Sequence, residues 1–375
     1  GRIATLAFLG NGDAGDLGIN TDRLTIIKEP DTVVTEGVGI ATTASFDSRG
    51  DGGDITINAT EFIDMTADVS GPFTPTPDQI SQALLQIDTG IVASGVGGGS
   101  SGTITLETGR LTVRDGSGIS TVSTLGEGGD INIDASSVEL QGTAGLLTNT
   151  SLLGLDAGDL SIQAEDIELS EGGFIATNAI SSEGQAGSVD LSTQRLSIQD
   201  GSTISLATFG QGSGGRATIE ATELIEISGI SADGLSSSGI RADSLGAGDA
   251  GTLEITAGEL VITEGGEITT ETDLAGRGGD IDIVVDTLLL DNSQITASTT
   301  TDQPGGDIRI QTDESVELVG DGFDSLTEQI IDPALNLTLG VDNFTQGILT
   351  IAAGEGAAGA VEVETPLFVA RNGAL

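Results

Sequence analysis

Hydrophobic and polar residues alternate along this chain in short runs. The segment from Gly187 to Gly215 contains three such runs, each with two aliphatic residues separated by one polar or small residue. The aliphatic pairs are Val189 and Leu191, Leu196 and Ile198, and Ile204 and Leu206. Alternation with a period of two is typical of a strand that has one buried face. The segment therefore predicts three short strands joined by turns.

This three-strand unit returns about every 28 residues. Its clearest marker is Gly-Asp followed by an aliphatic residue, one further residue and Ile, at Gly53, Gly129, Gly158, Gly279 and Gly306. A fixed period of this size is typical of stacked supersecondary units, here coils. The alternative, a helical protein, conflicts with 58 glycines and with the period of two.

Equivalent strands of successive coils are expected to stack in parallel, about 4.8 Å apart. The rule for crossover connections favours a right-handed winding. The sequence thus predicts an all-β, right-handed parallel β-helix of about eleven three-stranded coils. It would form one continuous domain over residues 1–375, a rod roughly 50 Å long.

Four coils lengthen the link between their second and third strands. The predicted insertions cover about residues 27–39, 66–90, 228–239 and 319–347. Insertions at one position of a coil emerge on one side of a solenoid, which is often its binding side. Two short helices are predicted within them, at 78–85 and at 325–331, the second opening with a capping box at Ser325 and Glu328. The insertions either cover the rod or contact a partner, a neighbouring subunit or a glycan.

Charge and composition narrow the choice of function. The chain has 12 basic and 58 acidic residues, a formal net charge of −46, which excludes nucleic acid as a partner because phosphate would be repelled. It has no His and no Cys, so disulfides, His-based metal sites and catalytic groups built on those residues are excluded. No apolar run approaches the roughly 18 residues of a membrane-spanning helix, so no transmembrane segment is predicted.

The Asp that follows the marker Gly gives the candidate site residues. These are Asp54, Asp130, Asp159, Asp280 and Asp307, with Asp16 in a looser copy of the marker. An Asp in a turn accepts a hydrogen bond from a nearby backbone N–H, which is the structural interpretation. Carboxylates stacked about 4.8 Å apart also repel each other, and a hard cation would relieve that repulsion. Calcium is therefore the candidate metal, although no tandem nine-residue calcium-binding repeat is present.

Pairs of carboxylates are the catalytic groups of enzymes that cleave glycosides. Glu139 and Glu168 are expected to face outward from neighbouring coils, and a glycosidase requires two such groups. With 58 acidic residues a close pair arises by chance, and the twelve cations are scattered along the chain. The sequence therefore assigns no catalytic residue and predicts a protein that is not an enzyme. A groove with converging carboxylates and an Arg would instead indicate a carbohydrate-active β-helix.

Threonine alternates with isoleucine on the third strand, as at Ile268, Thr270 and Thr272. These Thr residues are predicted to point inward and to form hydroxyl ladders within the coil. The outward positions are mixed, with Arg241 and Asp243 on one coil, so an ice-binding Thr ladder is not expected.

The order Gly-Gly-Asp-Ile-x-Ile, then Leu-x-Ile, then Ile-x-Thr resembles the haemagglutinin-like exoproteins of bacterial two-partner secretion. The likeness extends over nearly the whole chain, is strongest to the repeat regions of the cyanobacterial members, and is well displayed by residues 278–283, 288–290 and 295–299. The resemblance implies a right-handed parallel β-helix in an extracellular or cell-surface setting, without naming a ligand. The secretion domain of that family has no counterpart here, so an internal stretch or a processed product is expected.

Both ends of the chain fall at nearly the same phase of the coil, which leaves strand edges to be paired. The expected partners are contiguous repeats of the same protein or another copy stacked end to end into a filament. Surface glycans or proteins are further candidate partners. The expected function is that of a structural and adhesive rod segment. The alternative is a carbohydrate-binding or carbohydrate-cleaving β-helix protein.

Overall fold

Two parallel sheets make up the fold. The computed structural model describes residues 2–8, 10–28, 38–45, 48–67, 89–150, 155–180, 183–320 and 346–371, and every regular element in these ranges is a strand. The smaller sheet has eleven strands: β1 (Arg2–Ala7), β3 (Val38–Ala44), β5 (Thr89–Gly95), β7 (Gly118–Ser123), β9 (Gly145–Thr150), β12 (Phe174–Ala179), β14 (Thr203–Ser205), β16 (Gly239–Arg241), β18 (Glu267–Thr272), β20 (Gln294–Thr299) and β22 (Gly347–Ala352).

The larger sheet has thirteen strands: β2 (Leu17–Lys28), β4 (Ile55–Ala67), β6 (Ile104–Arg114), β8 (Ile131–Gln141), β10 (Leu160–Gln163), β11 (Asp166–Ser170), β13 (Val189–Gln199), β15 (Arg216–Ser228), β17 (Thr252–Thr263), β19 (Ile281–Asp291), β21 (Ile308–Val319), β23 (Val361–Glu364) and β24 (Phe368–Arg371). The chain passes from one sheet to the other and back, and neighbours in each sheet come from successive coils. This arrangement is a parallel β-helix, and the eleven strands of the smaller sheet confirm the predicted number of coils.

The first two strands predicted for each coil run together. In nine coils they form one strand of 11–13 residues, and in the other two they are separate, as β10 with β11 and β23 with β24. The register of the long strands shifts at a common point, for example between Ala59 and Phe62 and between Thr193 and Arg195. Such irregularities bend a strand. The predicted turn between strands 1 and 2 is therefore a bend within the larger sheet.

Aliphatic rows fill the interior of the tube. Ile55, Ile104, Ile131 and Leu160 hold the same register position in four successive coils, and all are fully buried. One continuous cluster of buried hydrophobic residues extends from β2 to β21. Burial of an Ile or Leu side chain contributes about 1.5–3 kcal/mol. Because each coil packs on its neighbours, this contribution accumulates along the axis.

The inward Thr residues of the smaller sheet bond to the backbone. Thr177 Oγ1 donates to the carbonyl oxygen of Gly187 at 2.7 Å, and Thr270 Oγ1 donates to that of Gly279 at 2.6 Å. The same bond joins Thr121 to Gly129, Thr148 to Gly158 and Thr350 to Gly359. The predicted hydroxyl ladders are therefore wrong at these positions. A buried carbonyl requires a donor, and the hydroxyl of the same coil supplies it.

The link from the smaller sheet to the larger one, here the glycine corner, stacks backbone on backbone. A Cβ atom added to Gly129 would lie 2.1 Å from the carbonyl oxygen of Gly102 one coil away. At Gly158 the corresponding distance to the oxygen of Gly129 is 2.0 Å. Neither glycine has a positive φ, so close approach of neighbouring coils is the reason for glycine here.

The link from the larger sheet to the smaller one, here the turn corner, combines a turn bonded within its own coil with bonds to the next coil, such as those from the Asp115 and Gly116 N–H groups to the Gln141 and Gly142 carbonyls at 3.1 and 3.3 Å. Asp115 and Gly116 have φ values of 53° and 81°, and the Ser117 N–H donates to the Arg114 carbonyl at 3.1 Å. Two successive positive φ values with this bond are typical of a type I′ turn. Equivalent bonds run from Gly173 to Ser170, from Ser202 to Gln199 and from Gly266 to Thr263.

All four predicted insertions join a strand of the larger sheet to a strand of the smaller sheet, at the turn corner. Residues 29–37, 68–88 and 321–345 lie outside the described residues, and with them both predicted helices. The insertion at 228–239 is described throughout.

Candidate functional site

The predicted site residues lie at the glycine corner, immediately before the strands of the larger sheet. Each carboxylate accepts a hydrogen bond from the backbone N–H at the equivalent position one coil later. Asp54 Oδ1 accepts from Thr103 at 2.9 Å, and Asp159 Oδ1 accepts from Ser188 at 2.7 Å. The other bonds run from Asp159 to Asp130 (2.9 Å), from Asp307 to Asp280 (2.8 Å), from Ala360 to Asp307 (2.8 Å) and from Asp54 to Asp16 (3.0 Å). Each of these carboxylates therefore ties its own coil to the next, whereas Thr103, Ser188, Arg216 and Thr252 occupy the position in other coils.

A second row of carboxylates makes the same connection and was not predicted. Asp13 Oδ1 accepts from the Asp51 N–H at 2.9 Å, and Asp51 Oδ1 accepts from the Ser100 N–H at 2.8 Å. Asp156, Asp249 and Asp302 bond in the same way to Gln185, Arg277 and Glu355. For Asp13, Asp51 and Asp156 the signal in the sequence is an Asp three residues before the marker Asp, whereas Asp249 and Asp302 lack that spacing.

The two rows meet in an open cleft of about 430 Å³. Asp13, Asp16, Asp51 and Asp54 line it together with Ser100 and nearby glycines. Hard cations such as calcium require several oxygen ligands that converge on one point. Within the described ranges, no three acidic side chains converge as a metal-binding group. Calcium at Asp54, Asp130, Asp159, Asp280 and Asp307 stays a prediction, whereas their hydrogen bonds between coils are present in the structure.

The outer face of the smaller sheet carries a charged cluster that sequence analysis treated only as a mixed surface. Arg241 Nε donates to Glu267 Oε1 at 2.7 Å, and its Nη2 donates to the same oxygen and to the Ser237 carbonyl. Gln294 Nε2 donates to the other oxygen of Glu267 at 2.9 Å. Both oxygens of Glu267 are thus occupied, which is the arrangement of a structural ion pair rather than of a free acid or base.

Asp243 lies beside this ion pair on the same coil as Arg241. Burial raises the pKa of Asp243 to about 7, and the positive charge of Arg241 opposes that shift. Its Oδ1 accepts a hydrogen bond from the Glu271 N–H at 3.0 Å. A perturbed carboxyl next to an Arg is a feature that active sites and structural networks share. The pattern of polar residues at outward positions gave no warning that this face would be half-buried.

Two asparagines on earlier coils of the smaller sheet occupy the same outward register position as Asp243. Asn149 and Asn178 are paired in register and are at most 2% exposed. Asn149 Oδ1 and Asn178 Nδ2 have no hydrogen-bond partner, although Asn178 Oδ1 accepts from the Ala207 N–H at 3.3 Å. Leu147 and Ala176 on the same face are also buried. Their positions are outward, so the alternation rule misassigned this part of the sheet.

The described insertion forms a small hairpin at the turn corner. Ile230 and Ser237 make an antiparallel bridge, and the Gly234 N–H donates to the Ser231 carbonyl at 2.8 Å. Asp233 Oδ1 accepts from the Ser231 hydroxyl at 2.6 Å and from the Leu235 N–H at 3.1 Å. These bonds fix the tip, at which the side chain of Leu235 is 78% exposed.

Three comparisons with known proteins give no further identification. The chain matches no protein-family model, no curated protein and no solved structure. Among the described residues, no helix has the length and apolar character needed to cross a membrane. The class of the protein therefore follows from its fold alone, which is that of a parallel β-helical solenoid.

Proposed function

We propose that this chain is a rigid rod segment of an extracellular or cell-surface bacterial exoprotein, with an adhesive role. The observation that supports it is the continuous parallel stacking of eleven coils around one aliphatic core. A solenoid of this kind holds its surface groups at a fixed spacing along an axis, which suits a spacer or a display scaffold. The resemblance to haemagglutinin-like exoproteins of two-partner secretion supports the same setting.

The surface supports this proposal in a second way. The formal charge of −46 is distributed along the rod, and the acidic side chains at the glycine corner recur from coil to coil. A high net charge of one sign keeps proteins soluble and separate from one another. Rods of this protein are therefore expected to repel each other side by side while their ends remain free to pair.

The first and last described coils support contact along the axis. Ile3 in β1 and Phe368 in β24 are 57% and 49% exposed, whereas the corresponding rows in central coils are fully buried. The strands of these coils have one parallel neighbour each. A further coil would bury these side chains and pair the free edges. We propose that contiguous repeats or another copy of the chain provides it.

Electron microscopy and mass analysis of the native protein test the rod. Long rods built from a much larger polypeptide would support contiguous repeats, and long rods built from chains of this length would support end-to-end stacking. Isolated particles about 50 Å long would overturn the proposal of an extended rod.

Adhesion needs a separate measurement. Beads coated with the protein are expected to adhere to cell surfaces and immobilised polysaccharides. Control beads carry a globular protein of similar negative charge, so that charge alone is accounted for. Equal retention of the two kinds of bead would contradict an adhesive role.

The carbohydrate-binding alternative also has an observation in its favour. A polar cleft follows the bend of the larger sheet across five coils. It differs from the half-buried Arg241 cluster because most of its polar side chains are exposed to solvent.

A further inference from the structure

The bend in the larger sheet is concave on its outer side. The cleft there has a volume of about 670 Å³ and extends from β4 across β6, β8, β10 and β11 to β13. Small inward residues mark the bend, as in the register row Ala59, Thr108 and Ala135. Small side chains inside the tube allow the backbone to approach the axis there, which leaves the depression outside.

One row of polar side chains forms the length of this cleft. Asn58, Glu107, Asp134, Gln163 and Ser192 hold the same register position in five successive coils. Neighbouring members are about 4.8 Å apart, so the row is roughly 19 Å long. Thr60, Ser136 and Glu165 lie along its second side. Every one of these side chains can form hydrogen bonds, and none is aromatic.

Three polar groups in the cleft are free to bind a ligand, whereas Thr60 donates to Asp22 Oδ1 at 3.1 Å. Asn58 Nδ2 donates to Glu107 Oε2 at 2.9 Å. In the part of the chain that the structure describes, the side chains of Asp134, Gln163 and Glu165 make no hydrogen bond or ion pair. Carboxylates without a cation partner attract positive charge, and their oxygens accept hydrogen bonds from hydroxyl groups.

Nearby basic residues are engaged elsewhere. The guanidinium of Arg110 lies 5.7 Å from the ring centre of Phe62, outside the cleft. Arg195 pairs with Asp166 at 2.8 Å and with Glu223 at 3.1 Å. No basic side chain is among the residues described as lining the cleft. The cleft therefore presents acidic and neutral polar groups only.

We infer that this cleft binds an extended cationic polysaccharide, an amino-sugar polymer with free ammonium groups, along the axis of the rod. A periodic row calls for a polymer with a similar repeat, and one sugar unit is comparable in length to the ~4.8 Å between coils. An extended peptide advances about 3.3 Å per residue and loses register with the row within a few residues. Uronic-acid polymers are excluded by charge, since Glu107, Asp134 and Glu165 would repel them.

This assignment rests on the carbohydrate-binding alternative and not on the role of the chain as a structural segment. It predicts that four to five consecutive sugar units contact the protein. Hydroxyl groups would bond to the amides and Ser or Thr residues, and ammonium groups to the three carboxylates.

Titration calorimetry with a hexamer of β-1,4-linked glucosamine tests the inference on the whole chain at physiological salt. The cleft variant E107Q/D134N/E165Q removes three charges while preserving the shapes of the side chains. The control variant E259Q/D286N/E314Q removes three exposed carboxylates from the same sheet, outside the cleft. Binding is expected to weaken by about tenfold or more in the cleft variant, which corresponds to about 1.4 kcal/mol, and to change little in the control.

The other outcomes are distinct. Equal weakening in both variants would show attraction to the general negative charge and would overturn the site. Hexalysine that binds as tightly as the sugar, with the same sensitivity to the cleft variant, would overturn the assignment to an amino sugar. A hexamer of fully acetylated units that binds equally well would replace the cationic ligand with a neutral glycan. Failure of the unaltered chain to bind any of these sugars would reject the carbohydrate-binding alternative, whereas the rod is judged separately by microscopy.

Discussion

The glycine corner and the turn corner close the same coil by different means. At the glycine corner each coil lies directly on the next, so that Gly158 has no room for a side chain, and carboxylates such as Asp159 bond across to the following coil. At the turn corner a four-residue turn such as Arg114–Ser117 has a closing hydrogen bond of its own in addition to bonds to the following coil. All four lengthened links lie at the turn corner. A turn with its own closing bond can be exchanged for a longer link more readily than a corner whose backbone packs directly on its neighbours.

A methyl group at the glycine corner is expected to have the largest effect. The Cβ atom of Gly158→Ala would lie 2.0 Å from a backbone oxygen of the preceding coil, so the coils must separate. We expect a loss of about 3 kcal/mol in the free energy of unfolding. Urea denaturation followed by circular dichroism measures it.

The matched change at the turn corner is Gly229→Ala. Its Cβ atom would meet nothing closer than 3.5 Å, and the cost comes only from its φ of +80°. That cost is about 1 kcal/mol. Equal losses in the two variants would contradict the distinction between the corners.

The hydrogen bond from Thr177 to the Gly187 carbonyl tests what stabilises the glycine corner from inside the tube. Thr177→Val keeps the shape of the side chain and removes the donor, which leaves a buried carbonyl without its partner. The expected loss is about 1–3 kcal/mol. Thr177→Ser retains the hydroxyl and should lose less. Thermal unfolding of both variants provides the measurement, and a valine variant as stable as the parent chain would show that this bond is not needed at the corner.

Variants of Asp159 test how much one carboxylate between coils contributes to the stability of the chain. Asp159→Ala removes the acceptor for the Ser188 N–H and is expected to lower stability by about 1 kcal/mol, whereas Asp159→Asn retains an acceptor oxygen. Repeating the unfolding measurements with and without calcium extends the test to the metal prediction. Stabilisation by calcium that disappears in the Asn variant would favour a metal role. Losses of equal size in both variants would argue against simple capping.

Asp243 is expected to make the stability of the folded chain depend on pH. Its pKa is about 7 in the folded chain against 3.8 as the ordinary value, so the folded chain holds the proton more tightly. The contribution of this group is therefore fully present below about pH 4 and is lost as pH rises through about 7. Asp243→Asn should flatten the stability profile over this interval relative to the parent chain. The exposed Asp190→Asn should not, and identical profiles for all three proteins would refute the assignment.

Removal of the hairpin at the turn corner is expected to have the smallest effect. Replacement of residues 230–237 by a two-residue type I′ turn should change the free energy of unfolding by about 0.5 kcal/mol or less. The reason is that the hairpin bonds mainly to itself, apart from the contact between Ser237 and Arg241. A loss comparable with that of Gly158→Ala would show that this insertion is part of the stack.

Sequence alone predicted the repeat, the inward aliphatic rows and the parallel stacking, because all three follow from local alternation and a fixed period. The sequence predicted strands 1 and 2 of each coil as separate strands. A bend within one strand and a turn between two strands leave the same spacing between apolar residues, so the pattern does not distinguish them. It did not foresee that Thr177 would bond to Gly187, because the distance between a hydroxyl and a corner carbonyl depends on the closed coil.

The site was predicted less completely than the fold. The alignment of Asp54, Asp130 and Asp159 at one corner follows from the repeat, but their hydrogen bonds depend on how coils are offset. Leu147 and Asn178 occupy positions that alternation marks as outward, and yet they are buried. Burial of a face from outside is a tertiary property that the two-residue period does not encode. The cleft at Glu107 and Asp134 was missed for a similar reason, since it arises from the bend.

The coil-to-coil hydrogen bond from a backbone N–H to an Asp one coil earlier has a consequence for how such a gene changes. A coil that carries this Asp presents an acceptor on one side and a backbone donor on the other, so coils of this kind can stack on one another. In-frame duplication or loss of a coil-length stretch of DNA would join edges that already match. Versions of this protein in different lineages can therefore differ in length by whole multiples of one repeat. The only packing that must readjust is that of the aliphatic side chains at the one new junction.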